Sequence, residues 1–208
     1  VSIVVLPTGV GKSLVGLSAA LIGPKGVSVV IVPTIALGYD QVAQAKSECE
    51  GKNYHIDAWH SGLSDVEKKA IKDRILKGEQ RLIYAAPESV TGALAISLAS
   101  AARDGLLRAF IVDEAHMVSQ WGDGFRPAFQ SMAGVWRQLR GACPDQAAFR
   151  TVLMTATLTE ESYDALASFF KTKEGPNVIA SVYLRPEPSY YVTKCQTQVE
   201  QESRVLEA

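Results

Sequence analysis

A chain of 208 residues, 47% hydrophobic and 21% charged, has the make-up of one generous globular domain or of one domain with the start of another, and no apolar run reaches the roughly 20 residues that span a bilayer. A formal net charge of −1 excludes a global basic field, though not a nucleic-acid partner gripped through amides, hydroxyls and a few local cations. Cys49, Cys143 and Cys195 are odd in number, far apart and without a CxxC pair, which speaks against a disulfide scaffold or a zinc site and for three separate thiols in a cytoplasmic enzyme.

In chain order, the pattern alternates short apolar runs with longer amphipathic stretches. Val1 to Leu6 is apolar but reaches a proline too early, and with no basic stretch before it, for a signal peptide. A strand is expected over Ser2–Leu6 and a helix over Lys12–Leu21, then a strand over Val27–Val32 and a helix over Ile35–Cys49. The strand Tyr54–Trp59 leads to Ser64-Asp65-Val66-Glu67, a capping box that opens the helix Asp65–Lys77, which Gly78 stops. A strand over Arg81–Ala85, one helix over Ser89–Arg103 and a strand over Leu107–Asp113 follow. A helix over Ala128–Leu139 and a strand over Thr151–Thr155 come next. Thr159 caps the helix Glu160–Phe170, whose first acids favour the positive helix start, and the last strand is Asn177–Val182.

Runs such as Val29-Val30-Ile31-Val32 suit strands buried on both faces. The expected fold is therefore α/β, doubly wound, with a mostly parallel central sheet and helices on both faces. Arg185-Pro186-Glu187-Pro188 interrupts regular structure. It divides a domain of residues 1–184 from a linker and the start of a second unit at 185–208. The opening inside a strand and the helix-like close, Gln196 to Ala208, have the look of cuts in a longer protein.

Two motifs carry chemistry. Leu6-Pro7-Thr8-Gly9-Val10-Gly11-Lys12-Ser13 follows a strand and opens a helix, the setting of a phosphate-binding loop. Its glycines let backbone amides turn toward phosphate oxygens, and the helix start adds positive potential. Lys12 would hold the β and γ phosphates and the Ser13 hydroxyl would ligate Mg²⁺. Leu6 stands where the general motif has its first glycine. In Phe110-Ile111-Val112-Asp113-Glu114-Ala115-His116, two carboxylates end an apolar strand, at the edge where parallel sheets bind ligands. Asp113 suits a Mg²⁺ ligand, and Glu114 can orient and deprotonate an attacking water. Together the motifs point to ATP hydrolysis, with ATP and Mg²⁺ as cofactors.

These residues resemble a known family. Pro7 to Ser13, the Asp-Glu-Ala-His box at 113 to 116 and Thr155-Ala156-Thr157 are similar to motifs I, II and III of superfamily 2 helicases, which do not require glycine at position 6. Ser119-Gln120-Trp121-Gly122-Asp123-Gly124-Phe125-Arg126-Pro127 resembles the aromatic-rich loop of RecQ helicases. Pro33 to Val42, Tyr84 to Glu88 and Arg185-Pro186 match motif Ia, motif Ib and the interdomain link. Departures are Asp123-Gly124 where the family usually has His-Asp, Ala86 where it has Ser or Thr, and Ala36 where it has Ser.

The resemblance implies a RecA-like nucleotide-binding domain of a 3′–5′ DNA helicase. Gly9 to Ser13, with Pro7 and Thr8, would cradle the nucleotide beside Asp113, Glu114 and His116. Gln120, Trp121, Phe125, Arg126, Thr155 and Thr157 would couple that site to single-stranded or partly duplex DNA. A glutamine motif upstream, and a second RecA-like domain with motifs IV to VI and an arginine finger downstream, are implied as well. The isolated chain would then be nearly inactive. Alternatives are a superfamily 2 translocase or RNA helicase that does not unwind DNA, or a decayed motor acting as a binding module. His55, His60 and the charges of Glu67–Lys77 read as structural.

Overall fold

The computed structural model describes residues 1–7, 9–117, 126–181, 194, 195 and 197. Seven strands form one sheet: β1 (Ser2–Val5), β2 (Val27–Ile31), β3 (His55–Trp59), β4 (Gln80–Ala85), β5 (Leu107–Val112), β6 (Arg150–Thr155) and β7 (Asn177–Ala180). Every neighbouring pair is parallel, in the order β3-β4-β2-β5-β6-β1-β7. The helices are α1 (Lys12–Ile22), α2 (Ile35–Glu48), α3 (Asp65–Lys77), α4 (Pro87–Thr91), α5 (Ala95–Arg103), α6 (Arg126–Ala142) and α7 (Glu160–Phe169). Among the described residues, no helix is long and apolar enough to cross a membrane.

Right-handed crossovers decide which face each helix covers. The chain runs toward the β3 edge through α1 and α2, then turns back through α3 to α7, so the two groups lie on opposite faces. Side-chain alternation along the strands follows the same division. Val30, Val32, Ile111 and Met154 pack with Leu17, Ala20 and Ala45 of α1 and α2. Val29, Ile31, Phe110 and Leu153 pack with Ile75, Leu98, Trp136 and Leu166 from the other helices. Fully burying one such side chain contributes about 1.5–3 kcal/mol, and both layers together fix the register of the central strands.

Local signals end the elements as the sequence implies. Ser64 and Glu67 form the reciprocal capping box of α3, and Gly78 closes it in the left-handed conformation, φ 68°. The Thr159 side chain accepts from Ser162 N at the start of α7. One expectation fails: the single helix Ser89–Arg103 is two helices. Gly92 leaves helical geometry at φ −111°, ψ −99°, and the Thr91 hydroxyl folds back on the carbonyls of Pro87 and Glu88, each at 3.2 Å. The chain restarts at Ala95 after a wide Leu94 N to Ser89 O bond of 2.9 Å. At the other end, α6 begins two residues before the expected Ala128 and continues past Leu139 to Ala142.

Candidate active site

The order of the sheet brings distant motifs together. β1 and β5 are not neighbours; β6 lies between them. Their carboxyl ends, with that of β6, therefore form one three-stranded ledge. The loop from Pro7 to Gly11 leaves β1 there, and Leu6 N is tied to Thr155 O of β6 at 3.0 Å. Gly9 and Gly11 adopt φ 86° and 92°, a left-handed backbone that residues with a Cβ rarely adopt. Gly11 leads directly into α1, whose first turn has no acid and no side-chain cap. The amides at this helix start keep their positive potential for an anion.

Across the ledge, Asp113 N donates to Ile31 O at 2.8 Å and Ala115 N to Met154 O at 2.8 Å. Glu114 between them has φ 48°, the only non-glycine residue with positive φ among those described. Such a conformation costs on the order of 1–3 kcal/mol and persists only where its surroundings impose it. Here neighbouring strands clamp both flanking residues, and Glu114 N donates to its neighbour's Asp113 Oδ1 at 3.0 Å. The result turns the Glu114 carboxylate toward the phosphate loop. Lys12 Nζ lies 3.0 Å from Glu114 Oε1, with the two side chains 11% and 28% exposed.

Asp113 is buried, and burial holds its carboxyl above the ordinary range, with the Glu114 charge acting in the same direction. A hydrogen bond from Gln41 Nε2 to Asp113 Oδ2, 3.2 Å, and the Lys12 charge pull it the other way. Ser13, half-buried at the start of α1, faces the same cleft. Ser13 and Asp113 both line this cleft and are the oxygen donors that could hold a Mg²⁺ together with phosphates and waters.

Thr155, fully buried at the end of β6, joins the acidic box to the turn beyond it. Its hydroxyl donates to Thr157 O at 2.7 Å and accepts from Thr157 N at 3.3 Å. His116 Nδ1 lies 3.0 Å from the same oxygen and 3.3 Å from Glu114 Oε2. With its one proton on Thr157 O, the Thr155 hydroxyl can only accept from the imidazole, and the carboxylate also requires a donor. Both contacts therefore place the proton on Nδ1. His116 is thus aimed at Glu114 and Thr155, and Thr157 is exposed beside them.

A cleft of about 520 Å³ opens from this ledge between α1 and α2, lined by Gly9, Gly11, Lys12 and Ser13, by Asp113 and Glu114, and by Leu14, Leu37, Gln41 and Tyr84. Tyr84 forms its floor; burial, then the nearby Asp113 and Cys49 charges, push its hydroxyl up to about 12. Another cleft, about 500 Å³ and bounded by Val15, Ile22, Arg108 and Arg150, lies at the amino edge of the sheet and contains none of the motif residues. Gln41 and Tyr84 join the site through the fold rather than through either chemical motif. Their signal in the sequence is that each stands inside a matched segment, Asp40-Gln41-Val42 and Tyr84-Ala85-Ala86. Thr8, Gln120, Trp121 and Phe125 lie outside the described residues, as does the stretch 182–193 with Arg185-Pro186; Arg126 is the first residue of α6.

Comparison with known proteins gives the same picture. The DEAD/DEAH box helicase model matches residues 2–166. The chain is 34% identical over 137 residues to the ATP-dependent DNA helicase RecQ of Synechocystis sp., covering 66% of this chain and 27% of that protein. It is 30% identical to ATP-dependent DNA helicase Q5 of Rattus norvegicus over 92% of this chain and 18% of the relative. With RecQ of Haemophilus influenzae it shares 28% identity over 99% of this chain and 30% of the relative. The chain thus spans less than a third of the length of these curated relatives. Among solved structures, the DNA-bound DUF1998 helicase MrfA aligns with a TM-score of 0.68 at 15% identity, over 86% of this chain and 25% of that one. The Pyrococcus furiosus Hef helicase domain aligns at 0.60 and 18% identity, over 88% and 35%. Those likenesses extend to the fold. A phosphate loop, an acidic box and a threonine turn converging on one ledge, inside the segment that the family model matches, place this chain in the DEAD/DEAH box helicase family as a RecQ-like motor domain.

Proposed function

We propose that this chain is the nucleotide-binding half of a RecQ-type motor that couples ATP hydrolysis to movement on single-stranded DNA in the 3′–5′ direction. The observation that carries the reading is the 3.0 Å contact between Lys12 and Glu114, which brings together the two residues that would serve as phosphate-binding cation and general base. The amides of Gly9 to Ser13 and the Lys12 ammonium would hold the β and γ phosphates. Ser13 and Asp113 would hold Mg²⁺, whose role is to neutralise charge on the phosphate oxygens. Glu114 would accept the proton of the attacking water, and its strained backbone keeps the carboxylate aimed at that point. The Nδ1–H of His116 orients the other carboxylate oxygen and carries the state of the site to Thr155 and Thr157.

A second RecA-like domain would close over this ledge and supply an arginine; without it, hydrolysis falls by roughly 10³–10⁵ in related NTPases. The 208-residue chain should therefore bind Mg-ATP weakly and turn it over barely. The test is ATPase activity of a protein carrying this chain and a second motor domain, with and without single-stranded DNA or RNA. Stimulation by DNA, abolished in Glu114→Gln, is expected. Stimulation by RNA alone, or robust unwinding by the 208 residues on their own, would refute the reading.

A further inference from the structure

Asp113 follows β5 with both of its carboxylate oxygens held by the protein. Oδ1 accepts from the amide of its neighbour Glu114 at 3.0 Å, a contact that the acidic box makes within itself. Oδ2 accepts from Gln41 Nε2 at 3.2 Å, a contact that comes from α2, 72 residues away. A carboxylate offers about four lone-pair sites, so these two bonds fix the plane of the group and leave each oxygen able to take a further partner. The seating of α2 explains the reach. Gly38, Gln41 and Ala45 share one face at helical spacing, and Gly38 and Ala45 are buried. A Cβ at Gly38 would already touch Tyr84 and Val32, each 3.5 Å away, so the helix backbone lies close to β4 and to the residue after β2. Gln41, between the two small residues, extends over the end of β5 and lines the cleft with Ser13 and Asp113.

A carboxylate that ligates a metal is itself held by hydrogen bonds, and those outer partners set how well it serves the ion. Free to turn about Cβ–Cγ, the Asp113 side chain would have to be ordered each time a cation bound, and that lost freedom would count against binding. The Gln41 amide removes the freedom beforehand on the Oδ2 side, as Glu114 N does on the Oδ1 side. The amide nitrogen has no lone pair to give a cation, so this atom acts through Asp113 and not as a ligand. We propose that Gln41 is a positioning residue for Mg²⁺: through Oδ2 it holds the Asp113 carboxylate in the orientation that takes the metal. Helix α2 then governs metal affinity without supplying a ligand. The proposal rests on the nucleotide-binding reading above and adds a residue that lies in neither chemical motif.

The probe is a non-hydrolysable ATP analogue carrying an N-methylanthraniloyl fluorophore. It is titrated against the 208-residue chain once with saturating Mg²⁺ and once in EDTA, with circular dichroism confirming that each variant folds. The ratio of the two affinities is the readout. By linkage it falls by the factor in which the bound metal is weakened, whereas a residue that merely packs α2 would move both affinities together. Gln41→Met keeps the length and loses the donor; Gln41→Asn keeps the amide but is a methylene short. Loss of an outer partner weakens a metal site by roughly 10–100-fold, so each variant should lower the ratio by at least about 10-fold relative to wild type. If wild type gains affinity with Mg²⁺ and both folded variants keep its ratio, Gln41 does not position Asp113 and the nucleotide-binding reading stands. If wild type binds no analogue, or binds it no better with Mg²⁺, the metal reading fails and the proposal with it.

Discussion

Lys12 and Glu114 are 102 residues apart in sequence and 3.0 Å apart in space, joined by strands that are not neighbours. In the proposed reading the two residues have separable jobs, binding and chemistry. Lys12→Ala should weaken Mg-ATP binding, because in that reading its ammonium would hold the phosphates. Glu114→Gln keeps shape and loses the proton acceptor, so binding should stay near wild type while turnover in the two-domain protein disappears. Calorimetric titration of both variants decides it. Equal loss of affinity would remove Glu114 from its role as base.

Thr155 tests whether the threonine turn is held by the hydroxyl or by packing. Thr155→Val keeps the volume and removes the hydroxyl that donates to Thr157 O and accepts from Thr157 N, while His116 Nδ1 keeps its 3.3 Å contact with Glu114 Oε2. An ordinary hydrogen bond is worth about 0.5–1.5 kcal/mol net, so the urea midpoint should fall. An unchanged midpoint would show that the hydroxyl contributes nothing to the ledge.

Gly26 is a backbone requirement at the amino edge. Its φ is 139°, and a Cβ there would collide with Leu106 O and lie 2.7 Å from Arg108 Nε. Leu106 O already accepts from Val27 N at 2.8 Å, holding β2 to the chain entering β5. Gly26→Ala should lower stability by roughly 1–3 kcal/mol or more, read as a fall in Tm of about 2–4 °C per kcal/mol, with Mg-ATP affinity intact. A Tm equal to wild type would contradict the geometry.

Glu67 gives a pH signature. Its hydrogen bonds to the Ser64 side chain and backbone, and less strongly the His60 charge, hold its carboxyl below its ordinary value of 4.5. A lowered folded-state value means stabilisation that is present above the unfolded value and lost as pH falls through the folded one. The fraying of α3 should increase below pH 4.5, followed by amide exchange at Glu67 and Lys68. Glu67→Gln, which still accepts a hydrogen bond but does not titrate, should flatten that dependence. An identical pH profile in the two proteins would exclude this cap as the cause.

Much of this was legible from residue types because each local signal had one physical meaning. Val29 to Val32 is apolar on successive positions because that strand is buried on both faces of the sheet, and Ser64 to Glu67 caps through its own reciprocal hydrogen bonds. The break at Gly92 was not legible: a glycine inside a helical pattern costs only about 1 kcal/mol and decides nothing until the carbonyls of Pro87 and Glu88 find Thr91. The role of Gln41 was hidden for a different reason. Its partner Asp113 is 72 residues away, and only the strand order, with β2 beside β5, brings α2 over the acidic box.

The last prediction concerns the segment joining the box to α6. Met117 is buried at its start, and α6 is anchored at its end, with Trp136 Nε1 donating to Thr151 Oγ1 at 2.8 Å and its ring 5.3 Å from Phe170. In sequence, residues 118–125 join Met117, which directly follows the acidic box, to α6. A strand bound there can use its binding energy to adjust the hydrolytic geometry. Trp121→Ala or Arg126→Ala in the two-domain protein should then reduce DNA-stimulated ATPase far more than basal ATPase. Asp123 places a negative charge in the same segment, and like charges near phosphates repel unless a cation neutralises them. Asp123→His removes that charge and restores the residue usual in RecQ-like loops, so DNA affinity and stimulation should both rise. ATPase rates measured against single-stranded DNA concentration for wild type and the three variants give the answer. If stimulation is unchanged in Trp121→Ala and Arg126→Ala, the segment is structural in this chain.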